Sequence, residues 1–333
     1  MPRALHLLLA LLLIAAPAAA PAQDKGSAPE ADAAETLSAI VRVRAKIIPN
    51  ARSLQTLGPE REGSGVLVRP GYVATIGYLV IEAESIEVTG ADGKSVPATL
   101  AGYDHASGFG LLKLLAPLAG KPIPLGDPRA LAERAPVLAA TYTGSDGLNV
   151  VHVVSRRPFS GSWEYHLDSA IFTYPPVMNW SGASLISPKG ELLGLGSLIV
   201  GDAAGGGTQS PGNMFVPIDL LKVILEDLIA RGKAAGPVRP WLGLNTEEAR
   251  GRLFVSRVSP DSPADRAGLK SGDIVIGVGS EEVASLADFY RRIWGRGAAG
   301  VEVPLKILQG VQVKEVTVRS IDRTEYFRSK SSY

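Results

Sequence analysis

The chain has 333 residues, which at roughly 150 residues per domain implies about two domains. Hydrophobic residues make up 46% and charged residues 20%, the balance of a globular chain; 34 Lys plus Arg against 33 Asp plus Glu leaves no basic surplus for a nucleic-acid binder. The absence of Cys excludes disulfides, thiolate nucleophiles, Cys-ligated zinc, iron–sulfur clusters and a lipid anchor on an N-terminal Cys. The four His residues, His6, His105, His152 and His166, have no metal-motif spacing, so neither a metal nor a cofactor is expected.

Arg3, the apolar run Leu7 to Ala16 and the small residues of Ala20-Pro21-Ala22 describe a secretory signal peptide over residues 1–22. Cleavage is expected after Ala22, with Ala20 as the alternative site and an uncleaved anchor as the competing reading. No other segment has ~18 consecutive apolar residues, so no stable membrane span is expected. Removing Arg3 with the signal leaves 33 basic and 33 acidic residues. The destination is export across the inner membrane, to a periplasm. Residues 23–34, rich in Ala, Pro, Glu, Asp and Ser, read as a solvated spacer.

The first folded domain is expected over residues 35–217 and is mostly β. Glu35 to Ala39 reads as a short helix, and Ile40 to Ile47 alternates apolar and basic residues as a half-buried strand does. Gly63 to Val68 and Gly71 to Thr75 flank a Pro-Gly turn and predict a hairpin. Short strands then recur: Ser85 to Thr89, Phe109 to Leu115, Val137 to Thr141, Val150 to Val154, Ala170 to Thr173, Ser184 to Ser187 and Leu192 to Ile199. That spacing belongs to a β-barrel or sandwich. Gly201 to Asn213 reads as a surface loop, since it lacks the Gly-Lys-Ser/Thr ending of a phosphate cradle.

A linker helix is expected within 218–235. Leu220, Leu221, Ile224 and Leu228 recur at helical spacing, and Lys222 and Glu226 stand four apart as an ion pair. Gly and Pro residues over 232–240 mark a boundary; a second domain then occupies 236–323, and 324–333 is a polar tail.

Several ordered motifs resemble the HtrA/Deg family of trypsin-like serine proteases with a C-terminal PDZ domain. Gly63-Ser-Gly-Val-Leu-Val68, Gly102-Tyr-Asp-His105 with Leu111-Leu-Lys-Leu114, and Pro124-Leu-Gly-Asp127 are similar to family segments. So are Ser181-Gly-Ala-Ser-Leu185, Gly190-Glu-Leu-Leu-Gly194 and Met214-Phe-Val-Pro217. The resemblance implies a chymotrypsin-like double β-barrel, then a helix and a PDZ domain. It also places the triad. Ser181 stands at the nucleophile, Tyr78 where the family has His, and Gly108 where it has Asp.

That substitution pattern removes the chemistry. Nucleophilic catalysis needs a base for the serine proton and a carboxylate to orient the base. A phenol, with a pKa of about 10, stays protonated at neutral pH. Asn179-Trp180-Ser181, preceded by Pro175 and Pro176, also departs from the family's Gly-Asn-Ser turn, whose backbone N–H groups form the oxyanion hole. Rescue by His105, or by His166 paired with Asp168, is the alternative. Two functions therefore compete: a pseudoprotease acting by peptide binding, or an active endopeptidase of envelope quality control using Ser181 with a non-standard base.

The second domain keeps its motifs. Trp241-Leu242-Gly243-Leu244 resembles a carboxylate-binding loop, and Val258 to Ile274 matches the family's Ser-Pro-Ala…Ala-Gly-Leu-Lys-x-Gly-Asp turn. Leu286 to Trp294 reads as the groove helix, with Phe289, Ile293 and Trp294 on one side. The expected partners are C-terminal or unfolded peptides, bound by strand addition with the carboxylate in a backbone nest. The competing reading is a groove occupied by the chain itself. The family also implies a possible homo-oligomer.

Overall fold

The computed structural model describes residues 34–328 except 208. The expected signal peptide, nearly all of the spacer and the end of the tail lie outside the described residues. The chain divides into two compact units. One holds the chain through Arg157 and Ser169–Ala234; the other joins Pro158–Asp168 to Ala235–Arg328.

The first unit contains two closed antiparallel barrels. Residues 34–38 form one short helix turn ahead of them. The first barrel is built from β1 (Ile40–Ile47), β2 (Glu60–Arg69), β3 (Tyr72–Ile76), β4 (Ala83–Thr89), β5 (Ser95–Tyr103) and β6 (Phe109–Leu114). Their order around it is β1-β2-β3-β6-β5-β4, and β1 pairs with β4 to close it. In β1 the alternation seen in the sequence puts Val43, Ala45 and Ile47 inside and leaves Arg44 and Lys46 exposed. Gly63 to Val68 of β2 is buried throughout. Closure satisfies every strand edge, which an open sheet cannot do.

The second barrel uses β7 (Pro136–Ala140), β8 (Leu148–Gly161), β9 (Tyr165–Tyr174), β10 (Ser184–Ile186), β11 (Leu192–Val200) and β12 (Gly212–Pro217), in the order β10-β11-β12-β9-β8-β7. Val137, Val151, Ile171, Leu185, Leu193 and Phe215 form its core. Four departures from the sequence reading are evident. β5 was not anticipated. The β8–β9 hairpin is far longer than the two short strands expected there. In helix α1 (Asp219–Arg231) the buried stripe is Leu221, Leu225 and Leu228, rather than one including Leu220 and Ile224. Glu226 pairs with Arg69 at 3.1 Å rather than with Lys222. The helix ends at Gly232, whose φ of 74° is left-handed and suits a residue without Cβ.

The second unit is a sheet of β13 (Leu244–Ala249), β14 (Arg252–Val258), β15 (Ile274–Val278), β17 (Glu302–Gln309) and β18 (Gln312–Arg319) in the order β13-β14-β15-β17-β18, with β16 (Glu281–Glu282) on β15. Helix α2 (Leu286–Trp294) covers it, capped by Ser285, whose hydroxyl accepts from the Asp288 amide. Leu286, Phe289, Tyr290 and Ile293 of α2 are buried with Leu242, Leu244, Val255 and Val303. No helix among the described residues is long and apolar enough to cross a membrane.

Candidate functional site

The two barrels meet at Ser181. Its carbonyl accepts from the Ser64 amide of β2 at 2.8 Å. Approach this close requires the small residues around it. A Cβ on Gly63 would stand 2.7 Å from the Ser181 carbonyl oxygen, and one on Gly182, whose φ is +73°, would stand 1.9 Å from that of Ser64. Asn213, fully buried, clamps the loop upstream. Its side-chain oxygen accepts from Val177 N at 2.6 Å and its amide donates to Val177 O at 3.1 Å.

Tyr78 lies on the single 3-10 turn Gly77–Leu79 that follows β3. A buried polar network fixes that turn. Arg61, 5% exposed, donates to the carbonyls of Tyr78 (2.7 Å) and Ile81 (3.2 Å) and to Ser53 Oγ (2.7 Å). Ser53 Oγ in turn donates to the Glu82 carboxylate at 2.5 Å, which also accepts from the amides of Arg52 and Ser53. Burial lowers the Arg61 guanidinium to about 10, against the attraction of Glu82, so it stays charged at neutral pH. Sequence reasoning passed over Arg61, Glu82 and Asn213, because each is defined by a partner in another segment.

The structure brings Ser181 and Tyr78 together. Ser181 Oγ donates to Tyr78 Oη at 2.9 Å, and Tyr78 Oη–H donates to the Ser197 carbonyl at 2.8 Å. Burial pushes the phenol up to about 12, against the pull of hydrogen bonds from Ser181 and Trp180. The proton of Ser181 therefore points at a neutral phenol oxygen whose own proton is committed elsewhere. Gly108 has a φ of 84°, donates to Asp104 O and accepts from Gly77 N, both at 2.8 Å. Nearby Asp104 spends its carboxylate on the amide and hydroxyl of Ser107.

No His among the described residues reaches Ser181. His105 Nδ1 is 2.8 Å from Tyr103 Oη. His166 does meet Asp168, at 3.2 Å, but in the second unit, where Ser160 and Arg291 also contact it. Burial lowers its pKa, so it is held toward the neutral form.

In the second unit, the loop at Trp241 to Leu244 turns three backbone amides onto one carboxylate. Leu242 N donates to Glu164 Oε2 at 2.9 Å; Gly243 N and Leu244 N donate to Oε1 at 2.6 and 2.8 Å. Gly243 is at φ +92°, and a Cβ there would lie 2.2 Å from that of Ser262. Trp241 is 4% exposed and Leu242 is fully buried, so these two contribute backbone and core rather than an open surface. Phe289 and Ile293, expected at the groove, are likewise fully buried. Glu164, the residue that fills the loop, was not anticipated.

A trypsin-like peptidase domain matches residues 63–195, and a PDZ domain matches residues 240–319. The chain is 29% identical over 275 residues to the periplasmic pH-dependent serine endoprotease DegQ of Escherichia coli, covering 77% of this chain and 58% of DegQ. Identity to the periplasmic serine endoprotease DegP of Salmonella typhimurium is 28% over 269 residues, covering 77% of this chain and 55% of DegP. The chain is a homologue of the HtrA/Deg proteins. It spans a little over half the length of these curated relatives.

Solved HtrA-type structures share the fold. The HtrA-type protease AlgW with decapeptide superposes with a TM-score of 0.53 at 19% identity, covering 90% of this chain and 98% of AlgW. The serine endoprotease from Yersinia pestis gives 0.51 at 22% identity, covering 87% and 96%. The matched peptidase segment contains Ser181, Tyr78 and Gly108, and the matched PDZ segment contains the amide nest.

Proposed function

We propose that this HtrA/Deg homologue is an exported, catalytically inactive pseudoprotease that works by binding peptides through its PDZ groove. The observation that carries the first half is the direction of the Ser181–Tyr78–Ser197 hydrogen bonds. Attack by a serine hydroxyl needs its proton removed in the transition state. Tyr78 offers a neutral oxygen with no capacity to hold a second proton at accessible pH, and no carboxylate among the described residues stands behind it. Loss of base and orienter costs about 10⁴ to 10⁶ in turnover in such triads. The amide nest at Leu242 to Leu244 supports the second half, since three converging N–H groups recognise a carboxylate. Export rests on the N-terminal sequence and on the periplasmic relatives.

The test is digestion of unfolded casein by purified protein, beside labelling with a serine-reactive phosphonate. Casein is expected to survive prolonged incubation, Ser181 to stay unlabelled, and Ser181→Ala to match the wild type. Cleavage that Ser181→Ala abolishes would establish the active-endopeptidase reading instead. N-terminal sequencing of protein from the cell envelope is expected to begin at Gln23 or Pro21; an intact Met1 would mean an uncleaved anchor.

A further inference from the structure

We propose that Glu164 is a built-in pseudo-ligand of the PDZ groove, a side-chain carboxylate seated where the C-terminal carboxylate of an external peptide would sit, so that such peptides bind only by displacing the 158–168 hairpin tip. The proposal rests on the reading of this groove as a peptide site.

Three observations carry it. First, the carboxylate of Glu164 collects all three amides of the nest, at 2.6 to 2.9 Å, and the residue is 4% exposed. Second, the turn leading to it also reaches the β13 edge through its backbone. The Ser162 carbonyl, two residues before Glu164, accepts from Thr246 N at 2.8 Å, two residues after Leu244. The tip thereby occupies one backbone amide on the edge of β13 that faces away from β14, the edge on which strand addition takes place. Third, Glu164 has a φ of 57°. A left-handed conformation is disfavoured at a side-chain-bearing residue. Glycine or asparagine would fill a hairpin position of this kind without that cost. An acidic residue held there against local preference is explained by what its carboxylate does.

Further contacts hold the tip in place. Tyr290 Oη donates to the Gly161 carbonyl at 2.8 Å and accepts from Glu164 N at 3.2 Å. Arg323 donates to the Trp163 carbonyl at 3.1 Å, and Arg291 of α2 pairs with Asp168 at 3.1 Å. The two Tyr290 contacts are buried, and the Arg291–Asp168 pair is exposed. The buried carboxylate on three amides is the one that an incoming C-terminus can replace in kind.

The experiment uses the full-length chain, wild type and Glu164→Gly, a variant that suits the left-handed φ and so preserves the hairpin. The probe is fluorescein-labelled Phe-Ser-Gly-Ser-Trp-Val with a free C-terminus, beside its C-terminal amide. Hydrogen exchange at the Leu242, Gly243 and Leu244 amides is followed in parallel, with Leu225 of α1 as the folding control. Glu164→Gly is expected to bind the free acid at least tenfold more tightly than wild type. Exchange at the three nest amides should speed by a similar factor, and the free acid but not the amide should slow it again. Equal peptide affinity in the two proteins would overturn the competitor role while leaving the groove a peptide site. Unchanged exchange would show that Glu164 does not protect the nest and would overturn it as well. Faster exchange with no peptide bound by either protein would sink the peptide-groove reading and the competition with it.

Discussion

Tyr78 carries one proton and meets three partners, Ser181, Trp180 and Ser197. The phenol donates to Ser197 O and accepts from Ser181 Oγ across the seam of the barrels. Tyr78→Phe leaves both groups without their partner in a partly buried site. It is expected to destabilise the first unit by about 1–3 kcal/mol in urea unfolding, without creating activity. An unchanged unfolding midpoint would show that water replaces the phenol at no cost. Restoring the family's residues is a separate matter. In Tyr78→His with Gly108→Asp, the new aspartate enters at φ 84°, a conformation that disfavours a side chain, on a residue whose N–H and C=O already serve Asp104 and Gly77. The double variant is expected to leave casein intact. Casein cleavage at more than about 1% of the rate of an active HtrA enzyme would show that the shell around the site was still competent.

At the scale of elements, the β8–β9 hairpin shows what one-dimensional reading can and cannot find. β1 and α2 were legible because each has one face in a core, and alternation or a helical stripe records that face, whereas the β2–β3 hairpin was legible from its Pro-Gly turn and β11 from a short apolar run. β8 carries Arg156, Arg157 and the run Phe159-Ser160-Gly161, and most of its residues are only half-buried, so no apolar period marks its true length. The triad positions were legible from local motifs. Glu164 was not, because its meaning lies in amides nearly eighty residues further on. Its titration follows from the same placement. Burial raises the docked carboxyl from 4.5 to about 7, against the Leu242, Leu244 and Gly243 amides and the charge of Arg323. Tyr290 also faces it as a neutral phenol, its own pKa raised by burial, while His166 and Asp168 of the hairpin form a separate cluster with Arg291 of α2. A raised acid binds its proton more tightly docked than free. Docking is therefore strongest below pH 4.5 and weakens as pH rises through 7, by up to about tenfold per unit between those limits. A peptide α-carboxylate, with a pKa near 3.5, stays ionised throughout. The apparent affinity of the wild type for the free-acid probe is expected to rise between pH 5.5 and 8.5, and Glu164→Gln should flatten that rise. A wild-type profile as flat as that of Glu164→Gln would contradict it.

At the scale of the molecule, two barrels without a free edge share a chain with a sheet that has two. β13 begins an open sheet, and an open strand edge is a template on which another chain can pair. Ser162 covers part of that edge through the Thr246 amide, and the proposed release of the tip would open it to another copy. Release of the tip then has a second effect besides exposing the carboxylate nest. Glu164→Gly protein is expected to self-associate with rising concentration in light scattering, where wild type does not. Adding the free-acid hexapeptide should reverse it, because the peptide covers the same edge; association that persists with the peptide bound would place the sticky surface elsewhere. Tip and peptide alike then act as guards of solubility, and a chain that exchanges one guard for another never leaves the strand bare.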